Sequence, residues 1–338
     1  MNKDCIDFVV TWVDSSDPLW QEEYAKYKTD GQSIDFSRFR DWNIFKYWFR
    51  AVEKYAPWVH KIFLVTNGQC PDWLDLNNPK IELVKHSDYI PDKYLPTFNS
   101  RCIELNMGRI KGLSDKFVYF NDDQIINGPL SPNDYFREGL PCDTTQESLT
   151  SATRYTPVDK FGISLSIYCN IAVLNYHFDR RKVVKQALSK WIGLHLPLKY
   201  NFASLLLMGH PYFQSFMTHH VEQPYLKKTF EEIWEKEPDF LDQSCTRFRQ
   251  QVSLTPYFAR YWQLASNNFY PKKIDKSKAF YLNEENLDDV INALSSEKLK
   301  SICINDSPVC TNEFYESASK RLQEVLNKKF PEKSSFEK

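Results

Sequence analysis

Glycine is scarce in this 338-residue chain, at 9 residues, which excludes a collagen-like or glycine-rich fibrous protein. No apolar run reaches the roughly 20 residues of a membrane-spanning helix; the richest, Phe202–Met208, is far too short. No apolar secretory segment follows Met1–Asp4, so the sequence predicts a cytoplasmic protein whose membrane contact would be peripheral, on the inner face. Charge of one sign is also missing: 43 Lys+Arg against 44 Asp+Glu leave a net charge of -1, and no basic field advertises nucleic-acid binding. The eight cysteines form no Cys-x-x-Cys pair, which argues against a zinc ribbon or a redox dithiol. The glycine-rich phosphate loop, the dinucleotide fingerprint, the serine nucleophile elbow and the HExxH zinc motif are all absent.

What is present is aromatic: 9 Trp, 19 Tyr and 24 Phe make 15% of the chain, suited to a thick core and to flat surfaces that stack sugars or bases. Four short apolar runs read as buried strands: Ile6–Val13, Lys61–Thr66, Ile81–Val84 and Lys116–Phe120. Between the first two, Ile44, Phe45, Trp48, Phe49 and Val52 repeat at helical spacing over Asp41–Tyr55, with Asp41 as N-cap. Asn99–Lys111 repeats the pattern and closes at Gly112. Strand, helix and strand in alternation predict an α/β fold with a mostly parallel sheet.

A loop-like stretch with Pro129, Pro132, Pro141 and Pro157 follows. Beyond it Arg180–Ile192, Tyr225–Lys236, Glu284–Leu294 and Asn312–Lys329 have helix-compatible composition. The expected organisation is an N-terminal α/β part, 1–128, that binds the ligand, a helix-rich part, 129–330, that completes the site, and a flexible tail, 331–338. Within Lys320–Lys333, five cations beside Leu322, Val325, Leu326 and Phe330 suit either anionic lipid or an ordinary surface helix.

In α/β sheets ligands bind outside the carboxyl ends of the strands. The runs here end in Asp14-Ser15-Ser16-Asp17-Pro18, Asn67-Gly68, His86-Ser87-Asp88 and Asn121-Asp122-Asp123. The adjacent carboxylates Asp122 and Asp123 could hold Mg²⁺ or Mn²⁺ with substrate phosphates completing the shell, or could be an acidic turn. Asp14 and Asp17 form a second acidic loop or a simple turn before Pro18. His219-His220 offers an imidazole base, and Arg247 and Arg249 offer bidentate partners for phosphate. Cys303-Ile304-Asn305-Asp306 repeats the theme of an apolar run ending in Asn-Asp. From the residues alone the reading is a metal-assisted enzyme acting on a phosphorylated or nucleotide-linked ligand, with a carbohydrate-binding scaffold as the non-catalytic alternative.

Four blocks in order carry a resemblance. Ile6–Asp14 with Asp17-Pro18 is the first. The second runs from Arg40-Asp41 through Arg50–Trp58, Val65–Gln69, His86, Leu95–Ser100 and Glu104 to Phe120–Asp123. His219–Leu264, with Gln223-Pro224 and Arg247-Phe248-Arg249, is the third, and Ile302–Asp306 the fourth. Together they resemble the Stealth family of sugar-1-phosphate transferases, which includes bacterial capsular and exopolysaccharide phosphotransferases and the animal enzyme that tags lysosomal hydrolases.

The resemblance implies a Rossmann-like, glycosyltransferase-A-like α/β fold with a helix-rich C-terminal part. It implies transfer of hexose-1-phosphate, most often N-acetylglucosamine-1-phosphate from its UDP-sugar, to a hydroxyl of an oligosaccharide or lipid-linked glycan, with release of UMP. A metal-dependent glycosyltransferase releasing UDP would use the same kinds of residue. On the implied scheme Asp122, Asp123 and Asp306 hold Mg²⁺ or Mn²⁺, Arg249 and Arg50 clamp phosphate, and His220 or His219 is the base. Thr11, Trp12, Asp14, Asp17, Asn67, Gly68, Asn99 and Arg247 would line the substrate.

Overall fold

The computed structural model describes residues 5–28, 42–149, 163–273, 276–306 and 311–338. Its strands are β1 (Ile6–Thr11), β2 (Ile62–Thr66), β3 (Ile81–Lys85), β4 (Lys116–Asn121), β5 (Gln124–Ile126), β6 (Phe136–Arg137), β7 (Leu140–Asp143), β8 (Gln223–Leu226), β9 (Tyr270–Pro271), β10 (Ser277–Tyr281) and β11 (Ser301–Asn305). The helices of the first half are α1 (Pro18–Tyr27), α2 (Phe45–Tyr55), α3 (Ser100–Leu105) and α4 (Pro132–Tyr135). Those of the second are α5 (Ser164–His177), α6 (Arg180–Gln186), α7 (Leu188–Trp191), α8 (Leu198–Leu206), α9 (Lys227–Lys236), α10 (Pro238–Ser244), α11 (Tyr257–Ala265), α12 (Leu287–Ser295) and α13 (Asn312–Lys329).

The central sheet has the order β3-β2-β1-β4-β8, parallel except for β8, which runs antiparallel to β4 at the edge. The expected α/β architecture with a parallel-rich sheet flanked by helices is what the chain forms. Because both faces are covered, the strands read as continuous apolar runs rather than alternating ones. The pleat still sorts the side chains. Ile6, Phe8 and Val10 of β1, with Val118 and Phe120 of β4, face one core, and Val9, Phe117 and Tyr119 face the other. Helix α2 buries Phe45, Trp48, Phe49 and Val52 on the first core, where the Phe8 and Phe120 rings lie 4.8 Å apart. Burial of each such ring stabilises by about 2 kcal/mol.

A second sheet, β10-β11-β5, and a third, β6-β7-β9, complete the structure. Strand β8 joins the central sheet from the second half of the chain, and β11 pairs antiparallel with β5, so the halves interleave.

Several elements differ from expectation. The helix expected over Asn99–Lys111 is α3 followed by a tight turn at Met107–Arg109. There Gly108 lies so close to α9 that an added Cβ would meet Phe230 Cβ at 2.5 Å. The helix expected from Tyr225 starts at Lys227, because Gln223–Leu226 is drawn into the sheet as an edge strand that tolerates Pro224. The observed N-cap of α2 is Ile44; Asp41, the expected cap, lies outside the described residues.

The tail is a correction of a different kind. Residues 331–338 are packed rather than flexible: Phe336 is buried against Phe49, and Glu337 takes both arms of Arg50 at 2.7 Å. The apolar residues of α13 turn inward as well, with Leu322 and Leu326 fully buried, so this helix has no apolar face for lipid.

Candidate active site

Strands β1 and β4 end side by side, with Thr11 in register with Asn121. From there the chain turns through Asn121–Gln124, where the Gln124 side chain accepts the Asn121 N–H at 3.3 Å. Strand β11 docks on the outgoing β5: Cys303 pairs with Gln124, and the Ile304 N–H donates to the Asp123 carbonyl at 2.8 Å. Asp306 follows β11 directly. On the other flank, β8 pairs Gln223 with Tyr119, and its antiparallel direction carries His220 back toward the same turn.

The result is a cluster. Single ligand atoms of Asp123, His220 and Cys303 all lie within 4.8 Å of one another. His220 Nε2 is 3.8 Å from Asp123 Oδ2, and its Nδ1 is 3.1 Å from the Tyr257 hydroxyl of α11. Asp123 Oδ1 is buried with no hydrogen-bond partner among the described residues. Burial and the Asp123 and Asp122 carboxylates push the Cys303 thiol well up. Soft sulfur is a poor ligand for a hard cation, whereas the orphaned carboxylate oxygen is a good one. The cluster the structure forms is Asp123, His220 and Cys303, with Asp122 and Asp306 outside it, and the oxygen in it open to a hard cation is Asp123 Oδ1.

Next to the cluster lies Glu104, to which the sequence reading gave no role. It is buried behind β1 and β4, and burial pushes its carboxyl up to about 7, against the downward pull of Arg249, Ser100, Arg101 and Tyr119. Tyr119 in turn bonds Thr11 at 3.0 Å and Asn121 at 2.5 Å, and Arg249 donates to Ser100 Oγ at 2.6 Å. Thr11, Tyr119, Glu104, Ser100 and Arg249 thus line one polar seam under the strand ends. Glu104 follows Ser100 by one helical turn, which places the two on one face of α3.

His219 points elsewhere, into a cavity of about 270 Å³ lined also by Glu222, Asp134, Asp143, Lys272 and Lys300. Burial and Arg260 push it down to about 4, with Asp143 opposing, so it is neutral at physiological pH. Arg260 is held by Asp143 at 2.9 Å.

Other residues of the expected site are occupied structurally. Arg50 is corrected from phosphate clamp to scaffold: its guanidinium is spent on Glu337 and on the Phe330 carbonyl at 2.8 Å, among buried groups. Arg247 donates to the Pro96 carbonyl at 3.0 Å and lies 4.1 Å from the Tyr27 ring centroid. Asn99 is fully buried as the N-cap of α3 and donates to the Thr246 carbonyl at 3.0 Å. Asp14 accepts from Ser16, and Asp17 caps α1 while bonding Gln69 at 2.8 Å, which holds its carboxyl below the usual range. Gln69 ties Asp14 and Asp17 to the Asn67–Gly68 turn, where Gly68 has φ +121. Trp12 stacks on Phe45, with centroids 6.0 Å apart.

Residues 6–32 match Stealth protein CR1, conserved region 1, and residues 38–142 match Stealth protein CR2, conserved region 2. The chain is 38% identical to the "Capsular polysaccharide phosphotransferase WcwK" of Streptococcus pneumoniae, over 100% of this chain and 99% of that protein. It is 38% identical to the "Exopolysaccharide phosphotransferase cps2G" of Lactiplantibacillus plantarum, over 98% and 96%. With the "Receptor polysaccharide phosphotransferase WefC" of Streptococcus oralis the identity is 37%, over 100% of both. The chain belongs to the Stealth family. It is a phosphotransferase, and the turn that bears Asp122 and Asp123 lies within the second Stealth region. His220 reaches that turn from well beyond both matched regions. Among the described residues, no helix of this Stealth protein is long and apolar enough to cross a membrane.

Proposed function

We propose that the protein transfers N-acetylglucosamine-1-phosphate from UDP-N-acetylglucosamine to a sugar hydroxyl of a capsular or exopolysaccharide, releasing UMP. The observation that carries this reading is the meeting of His220 with Asp123 at the carboxyl edge of the sheet, at 3.8 Å. The polysaccharide acceptor is suggested by the names of the relatives, which run the length of this chain.

In the proposed reaction the acceptor hydroxyl oxygen bonds to the β-phosphorus of the donor. The bond from that phosphorus to the bridging oxygen breaks, and its electron pair leaves with UMP. The hydroxyl proton passes to His220 Nε2, whose ring is oriented by donation of Nδ1–H to the Tyr257 hydroxyl oxygen. Arg249, held at the rim by Ser100, faces the phosphoryl oxygens. Mg²⁺, or Mn²⁺, held by Asp122, Asp123 and Asp306, would supply charge neutralisation for the diphosphate when bound. Asp17, Asn67 and Gly68 form the outer lip of the donor side, with Asp14 tied to it through Gln69 and Thr11 at the strand end.

The test is chromatography of the nucleotide released from UDP-N-acetylglucosamine with Mg²⁺ and a panel of oligosaccharide acceptors. UMP that depends on acceptor and disappears with EDTA supports the proposal. UDP instead would make the enzyme a glycosyltransferase and overturn it.

A further inference from the structure

Helix α8 presents its residues the wrong way round for a water-soluble protein. A surface helix ordinarily turns its large apolar residues to the core. Here Leu198, Phe202, Leu205 and Leu206, spaced i, i+4, i+7 and i+8, are 88%, 60%, 51% and 60% exposed, while Ala203, Ser204 and Leu207 face inward. Leu194, in the loop before α8, is 95% exposed. Scattered exposed leucines are ordinary, but a continuous helix face of them marks a contact surface.

The charges around this face indicate what it contacts. From Arg180 to Val221 the chain has no Asp or Glu. Helix α6 abuts the end of α8, with the Arg180 guanidinium donating to the Leu207 carbonyl and its N–H to the Pro211 carbonyl. Lys182 and Lys185 of α6 and Lys199 of α8 are exposed, and none has an acidic partner among the described residues. Arg180 is neutralised by buried Glu147, and Arg181 by Asp179. An apolar face with an unpaired cation on its own helix and two more on the helix that abuts it complements an anionic bilayer, whose hydrocarbon takes the leucines and phenylalanine and whose headgroups take lysines. A second copy of the chain would bring the same cations face to face, and a polysaccharide would leave the apolar residues wet.

We propose that α8 and the Leu194 loop form an in-plane anchor that seats the protein on a membrane containing anionic lipid. The anchor is independent of the donor and acceptor proposed above. From it the chain runs inward through buried Phe213 and Phe216 to His219 and His220, so the anchor and the active site are joined by one short segment.

Flotation of the full chain with vesicles of phosphatidylcholine, alone or mixed with phosphatidylglycerol, tests this. The protein should float with the mixed vesicles, less with the neutral ones, and less again at high salt. The double variant Leu198→Ser, Phe202→Ser should bind at least about tenfold more weakly while keeping its circular dichroism and its nucleotide release with a soluble acceptor. Failure of the native protein to float with either vesicle, or flotation of the folded variant equal to native, overturns the proposal. So does a native dimer that the variant turns into a monomer in sedimentation, because a second copy would then be the partner.

Discussion

His220 Nε2 lies 3.8 Å from Asp123 Oδ2 because one strand of the central sheet runs against the rest. Had β8 joined parallel, His220 would enter at the opposite edge. Antiparallel pairing of Gln223 with Tyr119 instead returns His220 to the turn that β4 leaves by. An imidazole from one half of the chain thereby reaches a carboxylate from the other.

Asp123→Asn should abolish UMP release without unfolding, since it keeps the shape but removes the charge. His220→Ala should lower kcat by roughly a hundredfold to ten-thousandfold and remove the acidic limb of the pH profile. Nucleotide release across pH, with circular dichroism as the fold control, checks both. An unchanged acidic limb would exclude His220 as the base.

Cys303→Ser separates a carboxylate metal site from a thiolate one. Because soft sulfur suits Mg²⁺ poorly, the serine variant should keep Mg²⁺-dependent turnover within about tenfold of native. Titration of EDTA-stripped protein with Mn²⁺, followed by paramagnetic relaxation of water, should give similar affinity in both. Loss of binding in the variant would place sulfur in the metal shell.

Glu104 sets a pH dependence of stability. Its carboxyl, raised to about 7 from an ordinary 4.5, keeps in the folded state a proton that the unfolded chain has already lost. The contribution is fully present below about pH 4.5 and is lost as pH rises through 7, on the order of 3 kcal/mol in total. Glu104→Gln should therefore lose less stability than native between about pH 5 and about pH 8 in thermal melts. His219, pushed down to about 4, has the opposite sense, its contribution being lost as pH falls from 6.5 toward 4.

Arg249 and Arg247 should part company. Arg249→Ala removes a cation from the rim and should lower kcat/KM by at least about a hundredfold with little change in melting temperature. Arg247→Ala breaks the ties to Pro96, Leu95 and Tyr27 and should lower the melting temperature first. Side-by-side kinetics and melts distinguish the two.

Arg50→Ala should destabilise by about 3 to 5 kcal/mol, because it leaves Glu337 buried and unpaired. Removal of residues 331–338 should destabilise comparably, through the exposed Phe336 site and unpaired Arg50. Equilibrium denaturation reads both, and near-native stability in either would show that the tail contributes little.

The strands were legible because burial on both faces writes itself as unbroken apolar runs such as Phe8–Val10 and Ile62–Val65. Asn121–Asp123 and His219–His220 were legible for a related reason, since polar residues that interrupt apolar strands stand out. Glu104 was not, because a carboxylate in a helix looks the same whether it faces water or, as here, the back of a sheet. Arg50 misled for the same reason: a guanidinium suits phosphate and carboxylate alike, and its partner Glu337 stands at the far end of the chain.

By itself the sequence determined the α/β class, the strand ends at which chemistry collects, and the two regions that match the Stealth family. Local pattern fixes these, because periodicity and turn chemistry act between near neighbours. Only the tertiary structure decided that His220 rather than His219 meets Asp123, that Arg50 and the last residues are scaffold, and that the leucines of α8 face outward. Those outcomes depend on strand direction, register and burial, which are set by contacts between distant segments.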